Sequence, residues 1–399
     1  MNCGKVVRRL QLVHKLATSY RSSQHKSCAA QGSGVKLFMP GPLNTTATVK
    51  AAMLKDISPR DEEFVKVLAY LRKELLKVAG VSDEEFIAVP MQGCATFSVE
   101  ATLQTTVPRS STAKVLVLSG GAFADRMINI CKCIDVQHES LPNATDSAAN
   151  MEAVEKKLRS TKYSNVCVIH CDTSSGFINP VDEIGSLVRQ WQPDCSYIVD
   201  AISSFGGMSL PTTYADFIIT STNKCVQGVP GCAFVIARKS KLVKCKGNSR
   251  SVCFDLYDQY KTLNSSGVFR FTPPTQALLA IQQAFLELEQ EGGVEGRARR
   301  YKTNNAIIRE GMERLGFVAL LPPQDSSYIV TSFKYPSHPN FDFGVFHKKL
   351  QSRGQVLPTA KVTKGDVFRI ANIGDLHPAD MDRLLDAVVE VCDEMDIKL

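Results

Sequence analysis

The stretch FIITSTNKCVQGVPG (residues 217–231) begins as an apolar run and ends as a loop punctuated by Gly and Pro. Phe217–Ser221 is β-branched and shows no alternation of apolar and polar residues, as expected of a strand covered on both faces. Four further runs read the same way: Lys114–Ser119, Asn165–His170, Ser196–Asp200 and Cys232–Ala237. Helical patterns such as Asp61–Val78 and Asp182–Trp191 lie between several of them. This alternation predicts an α/β fold, with helices on both faces of a mostly parallel central sheet.

Downstream the pattern changes. Two helical stretches, about 274–291 and 294–314, precede strand candidates Tyr328–Phe333 and Val367–Ile370. A last amphipathic helix at about 378–396 carries Met381, Leu384, Leu385, Val388, Val389 and Cys392 on one face. The expected organisation is a large domain over 37–285 and a smaller α+β domain over 286–399.

The formal net charge of +7 is concentrated at one end. Lys5, Arg8, Arg9, Lys15, Arg21, Lys26 and Lys36 fall in residues 1–36, which contain no acid, so the remainder is formally neutral. A neutral body has no electrostatic drive toward nucleic acid. The leader is Ser-rich and places Val6, Val7, Leu10, Val13, Leu16 and Ala17 near helical spacing; Arg8, Arg9 and Lys15 break any secretory core. That is the pattern of a mitochondrial transit peptide, with the matrix as the expected compartment. A basic tail without an address is the other reading. No apolar run approaches the ~18 residues of a membrane-spanning helix, so no membrane association is expected. The 13 cysteines include no CxxC pair, which fits neither a zinc site nor a disulfide framework, and no metal is expected.

Three features carry chemistry. Asp200 ends an apolar strand and opens the loop AISSFGG (201–207). Ligands bind beyond the carboxyl ends of such strands, so the acid either faces a ligand or caps its own turn. Lys224 follows the next strand in small, Gly-rich surroundings. It is either a solvated loop lysine or a partly buried amine with lowered pKa, suited to Schiff-base chemistry. Gln92-Gly93-Cys94-Ala95-Thr96 opens the helical run Phe97–Thr106; the opening is either an ordinary N-cap or a cradle of free amides for a phosphate.

Taken in order, these segments resemble the class V aminotransferases, and within them the enzymes that use 2-aminoethylphosphonate and pyruvate. The motifs are VDA (199–201) with SSFGG (203–207), then STNKCVQGVPG (221–231), and the likeness runs from Pro40-Gly41-Pro42 to Phe368-Arg369-Ile370. The resemblance implies a type I fold and pyridoxal 5′-phosphate as cofactor. It implies Lys224 as the Schiff-base lysine and Asp200 as partner of the pyridine nitrogen. Phe123 would stack on the ring, with Thr173, Ile202 and Asn223 around it. Cys94, Ala95 and Thr96 would hold the phosphate, helped by Thr272 from a second subunit of a homodimer. Arg369 would clamp the substrate carboxylate, beneath a loop containing Gly41. Arg250, in the segment KGNSRS (246–251), is the candidate for the phosphonate. Cys94-Ala95 stands where the family has Ser-Gly, which weakens the side-chain contribution to the cradle and leaves its amides intact. Alanine:glyoxylate and serine:pyruvate aminotransferases share this machinery. A cysteine desulfurase would need a reactive loop cysteine, and a non-catalytic scaffold would have no need to retain Lys224, Asp200 and Arg369 together.

Overall fold

The computed structural model describes residues 34–143, 147–359 and 365–398. Its centre is a seven-stranded sheet built from β2 (Phe86–Gln92), β3 (Lys114–Ser119), β4 (Gln137–Pro142), β5 (Asn165–Ile169), β6 (Ser196–Asp200), β7 (Phe217–Ser221) and β8 (Cys232–Arg238), after a short β1 (Lys36–Leu37). The spatial order is β2-β8-β7-β6-β5-β3-β4. Neighbours from β7 to β4 are parallel, while β8 runs antiparallel to both β2 and β7. The five expected strands form its interior and are buried on both faces, which explains their unbroken apolar character.

The two edge strands escaped the sequence reading. β2 contains Pro90, tolerable because an edge strand leaves one side unpaired. β4 reads QHESLP and is half exposed, so it has no apolar signature.

Helices cover the sheet. α1 (Glu62–Ala79) starts with Glu62 and Glu63, favourable at the positive end of a helix, and stops at Gly80 in the left-handed region, φ 69°. Its buried face, Phe64, Val67, Leu68, Leu71 and Leu75, packs on β2. Each such side chain contributes roughly 1.5–3 kcal/mol when fully buried. α2 (Ala95–Thr106), α3 (Ala122–Cys133) and α4 (Val181–Trp191) follow the strands in turn, and α5 (Thr275–Gln290) packs on α1. The apolar face of α5 belongs to this core as far as Leu288, so position 285 lies inside a helix of the large core.

A second core starts on α6 (Gly293–Arg314) at Ile308. It gathers the antiparallel pair β9 (Val330–Lys334) and β11 (Val367–Ala371), with α7 (Phe343–Ser352), β10 (Gln355–Val356) and α8 (Pro378–Glu394). Phe368 lies at its middle, 5.7–5.8 Å between ring centroids from Phe317, Phe333, Phe343 and Phe346. Because side chains alternate along a strand, locking Phe368 and Ile370 into this core turns Arg369 to the opposite face.

The transit-peptide reading concerns residues that, up to position 33, lie outside those described. Lys36, counted with the leader for its charge, is part of the fold: it sits in β1, parallel to β10, and pairs with Asp380 at 3.1 Å.

Candidate active site

Parallel neighbours present their carboxyl ends at one edge of the sheet, and the loops after β5, β6 and β7 meet there. One pocket at this edge is lined by Asp200 and Lys224 together with Cys94, Ala95, Thr96, Phe123, Thr173, Ile202 and Asn223. All of these were expected from the sequence.

Asp200 is 6% exposed, and its Oδ1 accepts the Ile202 N–H at 2.9 Å. Burial lifts its pKa from 3.8 to about 7, because the charged form loses its hydration. The turn behind it is pinned twice: Ser203 Oγ donates to Cys171 O at 2.5 Å, and Ser204 Oγ pairs with His170 Nδ1 at 2.9 Å.

Lys224 lies mostly buried beyond β7. The Gly228 N–H donates to Thr222 O at 2.7 Å, closing the loop around the lysine. Cys225 O next door accepts Arg297 Nη1 at 2.7 Å and the Tyr301 hydroxyl at 3.2 Å. Burial lowers the lysine pKa from 10.5 to about 8. Its Nζ donates to Pro40 O at 2.7 Å. Gly41 packs on the same side chain so closely that a Cβ would fall 2.6 Å from Lys224 Cδ and Nζ.

α2 points its N-terminus into the pocket. Cys94 occupies the N-cap and makes no side-chain capping bond. The first amides of a helix have no intrahelical acceptor. Gly93, with φ 111°, donates its N–H to Gly231 O at 2.9 Å, which ties this helix opening to the loop after Lys224.

Arg369 reaches the same region from β11. It is 7% exposed, and its Nη1 donates to Thr173 O at 2.7 Å. Burial lowers its pKa, and the nearby Asp172 carboxylate opposes that shift.

Two expected residues stand apart. Thr272 is exposed and is absent from the pocket wall of its own chain. Arg250 lies elsewhere: its Nη1 donates to Val107 O at 3.2 Å and its Nη2 to Pro108 O at 3.4 Å, where it satisfies carbonyls at the C-terminal end of α2. Within this chain it does not face the pocket.

Sequence reasoning missed Arg126 and Ser221, which also line the pocket. The Ser221 hydroxyl is buried and has no partner. Arg126 falls three residues after Phe123, one helical turn along the same face, and that spacing was the available signal. Cys171 and Cys225, buried thiols beside the site, are pushed up to about 12 by burial, which makes these two poor nucleophiles.

Residues 44–350 match the family model described as aminotransferase class-V. The 2-aminoethylphosphonate–pyruvate transaminase of Bacteroides fragilis is 42% identical over 359 residues, covering 89% of this chain and 98% of that protein. The crystal structure of a ureidoglycine-glyoxylate aminotransferase from Bacillus subtilis superposes with a TM-score of 0.81 at 20% identity, covering 92% of this chain and 94% of that one. A PLP-bound phosphoserine aminotransferase from Trichomonas vaginalis gives 0.71 at 18% identity, over 88% of this chain and 99% of that one.

Proposed function

The chain belongs to the class-V aminotransferase family, and on that premise we infer that it moves the amino group of 2-aminoethylphosphonate to pyruvate. The products are phosphonoacetaldehyde and L-alanine, and the cofactor is pyridoxal 5′-phosphate. The observation that carries this reading is the meeting of Asp200 and Lys224 in one pocket beside an uncapped helix N-terminus.

The residues present fit the cofactor. Ser221 offers a buried hydroxyl that lacks a partner. A carboxylate as deeply buried as Asp200 calls for a cationic or proton-bearing neighbour. The free amides of α2 call for an anion. When bound, the cofactor supplies an aldehyde carbon that takes up the amino group and a ring that draws off electrons as the neighbouring C–H bond breaks.

Lys224 would hold the cofactor covalently. Its amine, once free and lowered to about 8, would take the proton from the substrate's amine-bearing carbon and deliver it to the carbon derived from the cofactor's aldehyde. Asp200 would face the ring nitrogen and keep it protonated. Phe123 would lie against the ring, with Thr173, Ile202 and Asn223 beside it. Cys94, Ala95 and Thr96 would take the phosphate. Arg369, a planar guanidinium fixed on Thr173 O, suits the keto-acid carboxylate. Thr272, exposed here, is assigned to the site of a second copy, which makes the working unit a homodimer. The basic, acid-free leader is read as a mitochondrial address.

A stepwise experiment tests the assignment. Added without pyruvate, 2-aminoethylphosphonate should bleach the visible absorption of the cofactor-loaded protein within one turnover. Pyruvate should then restore it with release of L-alanine. If the band ignores the phosphonate and cycles instead with L-alanine and glyoxylate or with L-serine and pyruvate, the substrate assignment moves to those relatives.

A further inference from the structure

Arg126 lies on α3 with its guanidinium carbon 5.2 Å from the centroid of the Phe123 ring. Its Nη1 donates to Thr96 Oγ1 at 3.0 Å. Thr96 belongs to the first turn of α2, so the guanidinium stands beside free amides and the positive end of a helix dipole. Among the described residues no carboxylate lies within ion-pair distance of Arg126. Lys224 is close enough for Arg126 to lower its proton affinity. Three positive sources thus converge on a pocket whose wall contains one carboxylate, Asp200. Arg126 itself is exposed, so its charge is partly screened, yet its guanidinium and the helix end meet at Thr96 with room for an anion between them.

The hydroxyl of Thr96 gives the direction. Its oxygen accepts from Arg126, so its own proton is left to donate elsewhere. The unpartnered Ser221 hydroxyl lies in the same wall. Cys94 adds little, since a thiol is a weak donor.

Resting on the cofactor assignment above, we propose that Arg126 is a phosphate-binding residue of this site: it takes the phosphate-monoester dianion of the cofactor and aims the Thr96 hydroxyl at the same group. It supplies a full positive charge at an end of the pocket otherwise served by amides and hydroxyls. Replacement of Ser-Gly by Cys94-Ala95 increases the share of binding that falls to this guanidinium.

Equilibrium binding to cofactor-free protein tests this apart from catalysis. Pyridoxal 5′-phosphate and pyridoxal, which lacks the phosphate, are titrated in parallel against the unmodified protein, Arg126→Gln and Arg126→Lys, with inorganic phosphate as competitor. Arg126→Gln should weaken the phosphorylated ligand about 10- to 100-fold and leave pyridoxal as in the unmodified protein. Arg126→Lys should recover most of the loss, and inorganic phosphate should compete less well against the Gln variant. Equal losses for both ligands would overturn the proposal, because Arg126 would then act through the Phe123 ring. So would unchanged cofactor affinity with a raised KM for 2-aminoethylphosphonate, which would make Arg126 a substrate residue. Failure of the unmodified protein to bind pyridoxal 5′-phosphate would instead remove the cofactor assignment itself.

Discussion

The ε-amine of Lys224 rests on the carbonyl oxygen of Pro40, 2.7 Å away. That carbonyl belongs to a segment stitched to the strand that carries Arg369: Ala371 donates its N–H to Phe38 O at 3.0 Å, and β1 pairs with β10. The lysine assigned to the amino group and the arginine assigned to the carboxylate are therefore linked through the backbone between Phe38 and Gly41. Movement of one bears on the other.

Gly41→Ala tests that link. The residue has φ 131°, and an added Cβ would lie 2.6 Å from Lys224 Cδ and Nζ. The lysine must shift, so kcat should fall on the order of 10²-fold, as misplacement of a reacting group does. Cofactor affinity, measured by titration, should change far less. An unchanged kcat would show that the Pro40–Lys224 contact has no part in turnover.

Lys224→Ala should abolish turnover, because covalent attachment and proton transfer are lost together. Mass spectrometry after borohydride reduction should find the cofactor fixed to the Lys224 peptide of the unmodified protein and absent from the variant. Cofactor fixed to another lysine would displace Lys224 from its role.

Asp200 makes a prediction about pH. Burial holds its pKa near about 7, so the folded cofactor-free protein keeps a proton there that the unfolded chain releases near 3.8. The folded state binds more protons across this window, and its stability falls as pH rises from about 4 to about 7. Asp200→Asn removes the buried charge. Cofactor-free variant and parent should melt alike near pH 4, and the variant should melt higher at pH 8. The difference has an upper bound on the order of 4 kcal/mol. The same change should cost orders of magnitude in rate, since an amide cannot keep the ring nitrogen protonated. Calorimetry across pH and a steady-state assay check the two halves separately.

Arg369→Gln should lower kcat/KM for pyruvate by about 10- to 150-fold, the usual worth of a charge-assisted contact. Cofactor binding should persist, because the residue reaches the site through Thr173 and not through the cradle of α2. Retained pyruvate kinetics would place the carboxylate elsewhere.

Buried parts of the fold were the legible ones. Ser196–Asp200 and Phe217–Ser221 appear with the bounds their apolar runs predict, since a strand covered on both faces has to be apolar throughout. β2 was missed although its run FIAVPM is apolar and buried, because Pro90 interrupts it, and β4 was silent because a half-exposed edge strand needs no such run. Lys224, Asp200 and Thr96 could be named because motif order survives in sequence, yet their meeting at one edge is a matter of topology. Arg250 shows the limit. An arginine between serines reads equally as an anion ligand or as a cap, and the carbonyls of Val107 and Pro108, 143 and 142 residues away in sequence, are what hold it. Arg126 went unmarked for the converse reason: an exposed helical arginine looks like solvated surface until Thr96 is brought against it.

Amino transfer from a phosphonate donor is measured most directly with a donor panel. Purified protein with pyridoxal 5′-phosphate is given 2-aminoethylphosphonate, L-alanine, L-serine or L-cysteine as donor, with pyruvate or glyoxylate as acceptor, and the new amino acid is quantified. L-alanine should form from 2-aminoethylphosphonate and pyruvate at the highest kcat/KM of the panel, and none should form with Lys224→Ala. No L-alanine from that pair, alongside ready turnover of another donor, would contradict the phosphonate assignment.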